Sequence, residues 1–388
     1  MTGTQEGVDE PGLHEQHRTT MLGLSRVLSR PLVEQPMRTQ LASLMAEVEG
    51  VYDLSEPPDL YGSGVVEHLE ERMADFLGKP AAAFFPTGTM AQQVALRCWS
   101  ERTGSTKVGV HALSHPEVFE AGAFEKVSGL TTVRVAGGSS LVSAQAIEAA
   151  PAGIGAFMFE LPLRDAGFKL PTWEELVAAT QAARERGAIV HFDGARLFES
   201  QSHFGHSCAE IAALADTVFV SCYKSLSGLS GAILAGPEDV IAESRVWRHR
   251  YGGRVYQQYP AALSVLVGME RQLPLLAGYV ERAKVVAAEM REGLTRGGLE
   301  WFSIQPETPH IQEFQVWIPR PADDLTRAAM VVAQETGETV FQLPWWEPGM
   351  PPGLSVTEVS VDGASQEWRP GSIRDAARAF AEAVRTSD

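Results

Sequence analysis

Val190-His191-Phe192-Asp193-Gly194-Ala195-Arg196 takes the chain out of a run of apolar residues and into a carboxylate, a glycine and an arginine. Residues 188–192 have the length and composition of a strand buried on both faces, and Asp193 stands where that strand ends. A carboxylate there needs a partner, because an unpaired charge in a low dielectric costs several kcal/mol. Two partners suit the local sequence equally: Arg196, three residues on, or a cationic group on a bound ligand.

Downstream, residues 217–220 form a second buried-type strand. It runs into Ser221-Cys222-Tyr223-Lys224-Ser225 and then the turn-rich Ser227-Gly228-Leu229-Ser230-Gly231. A sheltered lysine has its amine pKa lowered and attacks carbonyl carbons; a lysine that snorkels to the surface fits the same local pattern. Upstream, Phe84-Phe85-Pro86-Thr87-Gly88-Thr89-Met90 ends a strand over 81–86 and begins a helix over 90–99. Gly88 lets the backbone approach a ligand, and Thr89 with the free amides of the first turn suits a phosphate. An ordinary capped helix start reads the same way. Taken jointly, the phosphate turn, the carboxylate and a lysine 31 residues later (224 − 193) supply three attachment points of pyridoxal 5′-phosphate, all at strand ends.

Further strands are expected over 107–110, 131–135, 155–160 and 232–235. Helices over 65–77 and 173–186 lie among them, the second N-capped by Thr172 ahead of Glu174 and Glu175. This alternation predicts a mostly parallel sheet covered by helices. After residue 262 the pattern changes to a long helix over 262–296, strands over 311–318, 339–343 and 355–361, and helices over 323–335 and 372–385. That is the signature of a small α+β domain. Residues 1–20 are expected to form a mobile N-terminal arm and 21–50 a helical segment joining the small domain. Residues 51–265 are expected to form the large cofactor-binding domain and 266–388 the small C-terminal one. Trp345-Trp346 reads as a hydrophobic plug, with a site wall as the alternative.

The chain has 388 residues and a formal net charge of −17, which argues against a nucleic-acid footprint built from clustered Lys and Arg. Cys98, Cys208 and Cys222 show no CxxC spacing and read as buried free thiols rather than a metal site. The first twenty residues lack an apolar core for a signal peptide, and no apolar run approaches the ~20 residues of a membrane span. A cytoplasmic protein is expected.

These motifs resemble the threonine aldolase and β-eliminating lyase family of fold-type-I pyridoxal-phosphate enzymes. The resemblance runs from about Tyr61 to Met269. It is carried by Tyr61-Gly62, Leu69-Glu70-Glu71-Arg72, Phe85-Pro86-Thr87-Gly88-Thr89-Met90-Ala91, His115 with Phe119-Glu120-Ala121-Gly122, His191-Phe192-Asp193-Gly194-Ala195-Arg196-Leu197 and the Lys224 segment. It implies an α/β, aspartate-aminotransferase-like fold, with a large domain built on a mostly parallel sheet and a smaller α+β domain. It further implies that Gly88 and Thr89 hold the cofactor phosphate, with Ser221 also at the cofactor. His115 would stack on the cofactor ring, Asp193 would keep the pyridine nitrogen protonated, and Lys224 would be the Schiff-base lysine. Arg196 would bind the substrate carboxylate, with Ser25 and Tyr61 as further substrate contacts. The family's habit of sharing active sites in homodimers or homotetramers implies the same here, with Tyr61 or Arg254 reaching across.

The sequence departs from the family at places that bear on the reaction. Glu160-Leu161-Pro162-Leu163-Arg164 replaces the usual Glu-Asn-Thr-His-Asn, so Leu163 lies near the place of the histidine often assigned to the β-hydroxyl proton. The late arginine expected near residues 352–358 is missing, and Tyr256 stands where an arginine is common. The leading expectation is retro-aldol cleavage of a β-hydroxy-α-amino acid to an aldehyde and glycine, or the reverse condensation, with His115 or a water as base. The alternatives are β-elimination, β-replacement or other Cα-carbanion chemistry on a specialised amino acid, and a non-catalytic relative.

Overall fold

The computed structural model describes residues 12–31, 35–348 and 351–386. The chain divides into two units, Pro31–Val280 and the paired segments Met1–Arg30 and Glu281–Asp388. Of the arm expected over 1–20, residues 1–11 lie outside the described residues, and Leu13–Leu22 is helical.

In the larger unit one sheet is built from β1 (Ala81–Phe85), β2 (Lys107–His111), β3 (Thr131–Ala136), β4 (Ala156–Glu160), β5 (Ile189–Asp193), β6 (Thr217–Ser221) and β7 (Ala232–Gly236). Their order is β1-β7-β6-β5-β4-β2-β3. Strands β2 to β6 pair in parallel, while β7 runs antiparallel to both β6 and β1. The reversal has a simple cause. Residues 222–231 are too few for the crossover of about a dozen residues that a parallel return demands, so β7 folds straight back beside β6. Every residue of β6 and β7 is buried, which is why both read as unbroken runs of small and apolar residues. The carboxyl ends of β1, β2, β4, β5 and β6 therefore reach one edge of the sheet, bringing Thr87, His115, Glu160, Asp193 and Lys224 into one region.

Strand β1 lies at the border of the sheet, yet its outer polar groups are occupied. The Glu70 carboxylate accepts the Phe84 amide (2.7 Å), Arg245 donates to the Ala82 carbonyl (2.8 Å), and Arg248 donates to the Phe84 carbonyl. Glu70 also accepts from Arg245 (2.7 Å) and Arg248 (3.2 Å), so one carboxylate and two guanidiniums stand in for a missing strand.

The smaller unit holds an antiparallel sheet of β8 (Ser303–Gln305), β9 (Glu313–Ile318) and β10 (Ser355–Ser360) in the order β10-β9-β8. Its core includes Phe314, Phe341, Trp345 and Phe380. Trp345 is buried and parallel to Phe380 at 5.8 Å, which settles it as a plug; Trp346 is half-buried and bridges Val356. The strand expected over 339–343 does not form. The Thr339 hydroxyl accepts the Phe341 amide and donates to the Phe341 carbonyl, a local closure that competes with sheet pairing. All three cysteines are buried, and no helix among the described residues is long and apolar enough to cross a membrane.

Candidate active site

Thr87 caps the helix Gly88–Thr103, its hydroxyl accepting the Met90 amide at 3.2 Å. The helix begins two residues earlier than its apolar pattern predicts, so Gly88 and Thr89 belong to the first turn and their amides remain outside the helical ladder. A Cβ on Gly88 would lie 2.6 Å from the Phe219 ring, and one on Gly194 would lie 2.8 Å from the Phe219 carbonyl oxygen. Phe219 thus requires glycine in both motifs and draws the two turns together.

A cavity of about 490 Å³ opens at this edge of the sheet, with Gly88, Thr89, His115, Asp193, Arg196 and Lys224 among its lining residues. Asp193 is fully buried at the end of β5. Its carboxylate accepts from the Gln92 side-chain amide (2.8 Å) and the Ala195 backbone amide (3.1 Å). Burial raises the Asp193 carboxyl above its ordinary range, and the positive charge of Lys224 works against that rise. Lys224 is half-buried in the short return between β6 and β7. The next residue, Ser225, donates its hydroxyl to Glu199 (2.5 Å) on the helix Leu197–Phe204, linking the lysine turn to the element that follows Arg196.

His115 opens a short helix after β2. Its Nδ1 lies 3.2 Å from Glu120 Oε1, and its backbone amide donates to Glu160 (2.7 Å). The bond to Glu120 raises the imidazole pKa, against a smaller opposing effect of burial. Glu160 ends β4 in register with Asp193 on β5; loss of solvent, reinforced by the Asp193 charge, pushes its carboxyl up to about 8. Arg196 lies over the Phe168 ring at 5.2 Å, and Phe168 is fully buried with φ of 56°, a left-handed conformation uncommon for a bulky side chain.

Ser221 is buried at the end of β6, its hydroxyl without a hydrogen-bond partner among the described residues, and it does not line the cavity. Tyr61 is half-exposed and lines a separate cavity with Arg254, which lies over its ring at 4.9 Å. Ser25 belongs to the smaller unit, where its hydroxyl donates to the Gly337 carbonyl (2.9 Å). The structure therefore gathers Gly88, Thr89, His115, Asp193, Arg196 and Lys224 around one cavity, and Tyr61 elsewhere. Sequence reasoning quoted Glu120 and Glu160 within motifs but assigned no role to them, nor to Gln92 and Phe168. Glu160 carried a usable signal, a carboxylate at a strand end. Gln92 lies one helical turn beyond Gly88, and that spacing alone does not mark it.

The family model described as Beta-eliminating lyase matches residues 35–295. Over 267 residues the chain is 30% identical to the low specificity L-threonine aldolase of Escherichia coli (strain K12), covering 67% of this chain and 77% of that protein. A candidate L-allo-threonine aldolase from Listeria monocytogenes EGD-E superposes with a TM-score of 0.86 at 31% identity, covering 96% of this chain and 100% of that one. A candidate aromatic amino acid β-eliminating lyase/threonine aldolase from Exiguobacterium sp. 255-15 gives 0.83 at 33% identity, covering 95% and 99%. The architecture is the fold-type-I arrangement that the motifs implied.

Proposed function

The chain belongs to the β-eliminating lyase family, and from that membership we propose that it cleaves a β-hydroxy-α-amino acid into an aldehyde and glycine, or runs the reverse condensation. It is a lyase whose cofactor is pyridoxal 5′-phosphate. The residues present fit that cofactor. A helix start whose first amides lie outside the helical ladder suits its phosphate, a buried carboxylate suits its pyridinium, and an amine at the cavity wall suits its aldehyde. The observation that carries the reading is that Thr87–Thr89, Asp193 and Lys224 all face one cavity.

When bound, the cofactor supplies an electron sink for the pair left on Cα. The chain supplies the rest. Gly88, Thr89 and the helix amides would hold the phosphate, and Lys224 would hold the cofactor covalently. Asp193 would keep a proton on the pyridine nitrogen, its orientation set by Gln92 and the Ala195 amide. Arg196, resting on Phe168, would bind the α-carboxylate through two parallel N–H donors. With Nδ1 of His115 engaged by Glu120, Nε2 is the atom left to take the β-hydroxyl proton. Glu120 then stabilises the imidazolium that results.

One observation favours a second reading. Leu163, near the place of the family's histidine, is buried, and removal of the α-proton followed by β-elimination uses the same cofactor contacts. Products separate the two. Incubated with threonine, allo-threonine and β-phenylserine, the holoenzyme is expected to release aldehyde and glycine in equal amounts, and Lys224→Ala to release neither. Ammonia with a 2-oxo acid instead would replace cleavage by elimination. Loss of the borohydride-sensitive visible absorbance in Lys224→Ala checks the cofactor attachment separately. We also propose a homo-oligomer in which Tyr61 and Arg254, both at the molecular surface, serve a neighbouring copy's site, and in which Ser25 contacts substrate.

A further inference from the structure

Among the described residues, two aromatics have a positive φ: Tyr61, which is half-exposed, and Phe168, which is fully buried with φ of 56°. A left-handed backbone step is costly for a bulky residue and persists only where the surroundings fix it. Here the loop after β4 does so. The Leu163 amide donates to the Lys169 carbonyl (2.9 Å) and the Lys169 amide to the Leu163 carbonyl (3.2 Å), which closes the loop over 163–169. Inside it, the amides of Gly167 and Phe168 both donate to the Arg164 carbonyl (2.9 and 3.1 Å). The Arg164 amide donates to Glu160 Oε1 (3.2 Å) and ties the loop to the end of β4. Gly167, with φ of 90°, takes the first left-handed step at little cost, and Phe168 takes the second with a full side chain.

Arg196 lies over the ring so placed. Its guanidinium carbon is 5.2 Å from the ring centre, within the range at which a cation is drawn to an aromatic face. Arg196 lines the cavity and Phe168 does not, so the ring acts on the site through the arginine. An aliphatic side chain would fill space equally well, but it has no negative face to hold a cation. A guanidinium held by its face keeps its edge N–H groups in the plane where a carboxylate binds. We propose that Phe168 is a positioning residue for substrate recognition: its ring holds the Arg196 guanidinium in the plane that receives the α-carboxylate. The assignment rests on the reading that Arg196 binds that carboxylate, and it is independent of which substrate bond is broken.

The test titrates the holoenzyme with L-alanine and with ethylamine, which is alanine without its carboxylate, followed by the change in visible absorbance. Phe168→Leu keeps an apolar filler. Pentafluorophenylalanine at position 168 keeps the ring's shape and makes its face electron-poor. Both replacements should weaken alanine about two- to thirtyfold, the range of a cation–π contact, and leave ethylamine unchanged. A single fluorine on the ring should give an intermediate loss. A pentafluorinated ring that binds alanine as tightly as the native one overturns the proposal, and so does an equal loss for both ligands. Arg196→Gln tests the underlying reading and should lower the preference for alanine at least about tenfold. If it does so while the fluorinated ring has no effect, Arg196 keeps the carboxylate and Phe168 loses its role. If Arg196→Gln weakens both ligands alike, the carboxylate reading falls and the proposal falls with it.

Discussion

His115 shows how one side chain's chemistry is set by its immediate neighbours. To accept a proton its imidazole must be neutral, yet the bond to Glu120 holds the charged form to a pH above the ordinary 6.5. Activity limited by this group should therefore rise with pH through a midpoint above 6.5. Glu120→Gln removes the stabilising charge, and the acid limb of kcat should then move to lower pH. His115→Asn should lower kcat by about 10²–10⁴-fold, the usual contribution of a positioned base. A pH–rate profile checks both, and an acid limb that Glu120→Gln leaves in place would exclude His115 as the base. At this scale the sequence reveals residue types but not pairings. Asp193 and Lys224 were legible as candidates only jointly, as charged groups that follow buried apolar runs within a few residues and in an order that suits one cofactor. The support of Arg196 by Phe168 was not legible, because it depends on a loop 28 residues upstream (196 − 168) turning back through a left-handed backbone step.

Among the elements, β1 depends most on distant side chains. Its outer N–H and C=O groups are taken by Glu70 from the helix Val65–Phe76 and by Arg245 and Arg248 from the helix Glu238–Arg250. Glu70 and Arg248 are both almost fully enclosed, whereas Arg245 is 42% exposed. Breaking a buried pair from one side leaves an uncompensated charge, so Glu70→Ala should cost about 3–5 kcal/mol. Arg245→Ala should cost under about 1 kcal/mol, as for a solvent-screened pair. Urea unfolding of the two variants measures the difference, and equal losses would mean that burial of Glu70 is not what matters. The strands themselves were readable from runs of apolar residues, and the antiparallel return of β7 follows from the short connection. The misreading over 339–343 has a local cause: a β-favouring composition was overruled by one threonine hydroxyl closing on its own backbone.

For the molecule as a whole, the residues proposed to hold the cofactor, which line the cavity with Lys224, all come from the unit Pro31–Val280. A ligand that binds only the native state stabilises it by about 2.7 kcal/mol at a hundred times its dissociation constant, which for a unit of this size is roughly 5–10 °C. Comparing apo- and holoenzyme by calorimetry should show a shift of at least that size. Hydrogen exchange should slow at the peptides covering Thr87–Gln92 and Ser221–Leu226; no slowing at either would remove the cofactor from this cavity. The amino-acid sequence alone indicated the fold class and, through the resemblance of its motifs, the family, and it marked Lys224, Asp193, Gly88 and Arg196 as candidates, because strand periodicity, turn chemistry and the order of motifs at strand ends are written along the chain. Only the tertiary structure decided which groups surround them. Gln92 on Asp193, Glu120 on His115, Glu160 holding both His115 and Arg164, and the three-residue cap on β1 are contacts in space, and the energies that orient and titrate these side chains fall off within a few ångströms of where the fold happens to bring them.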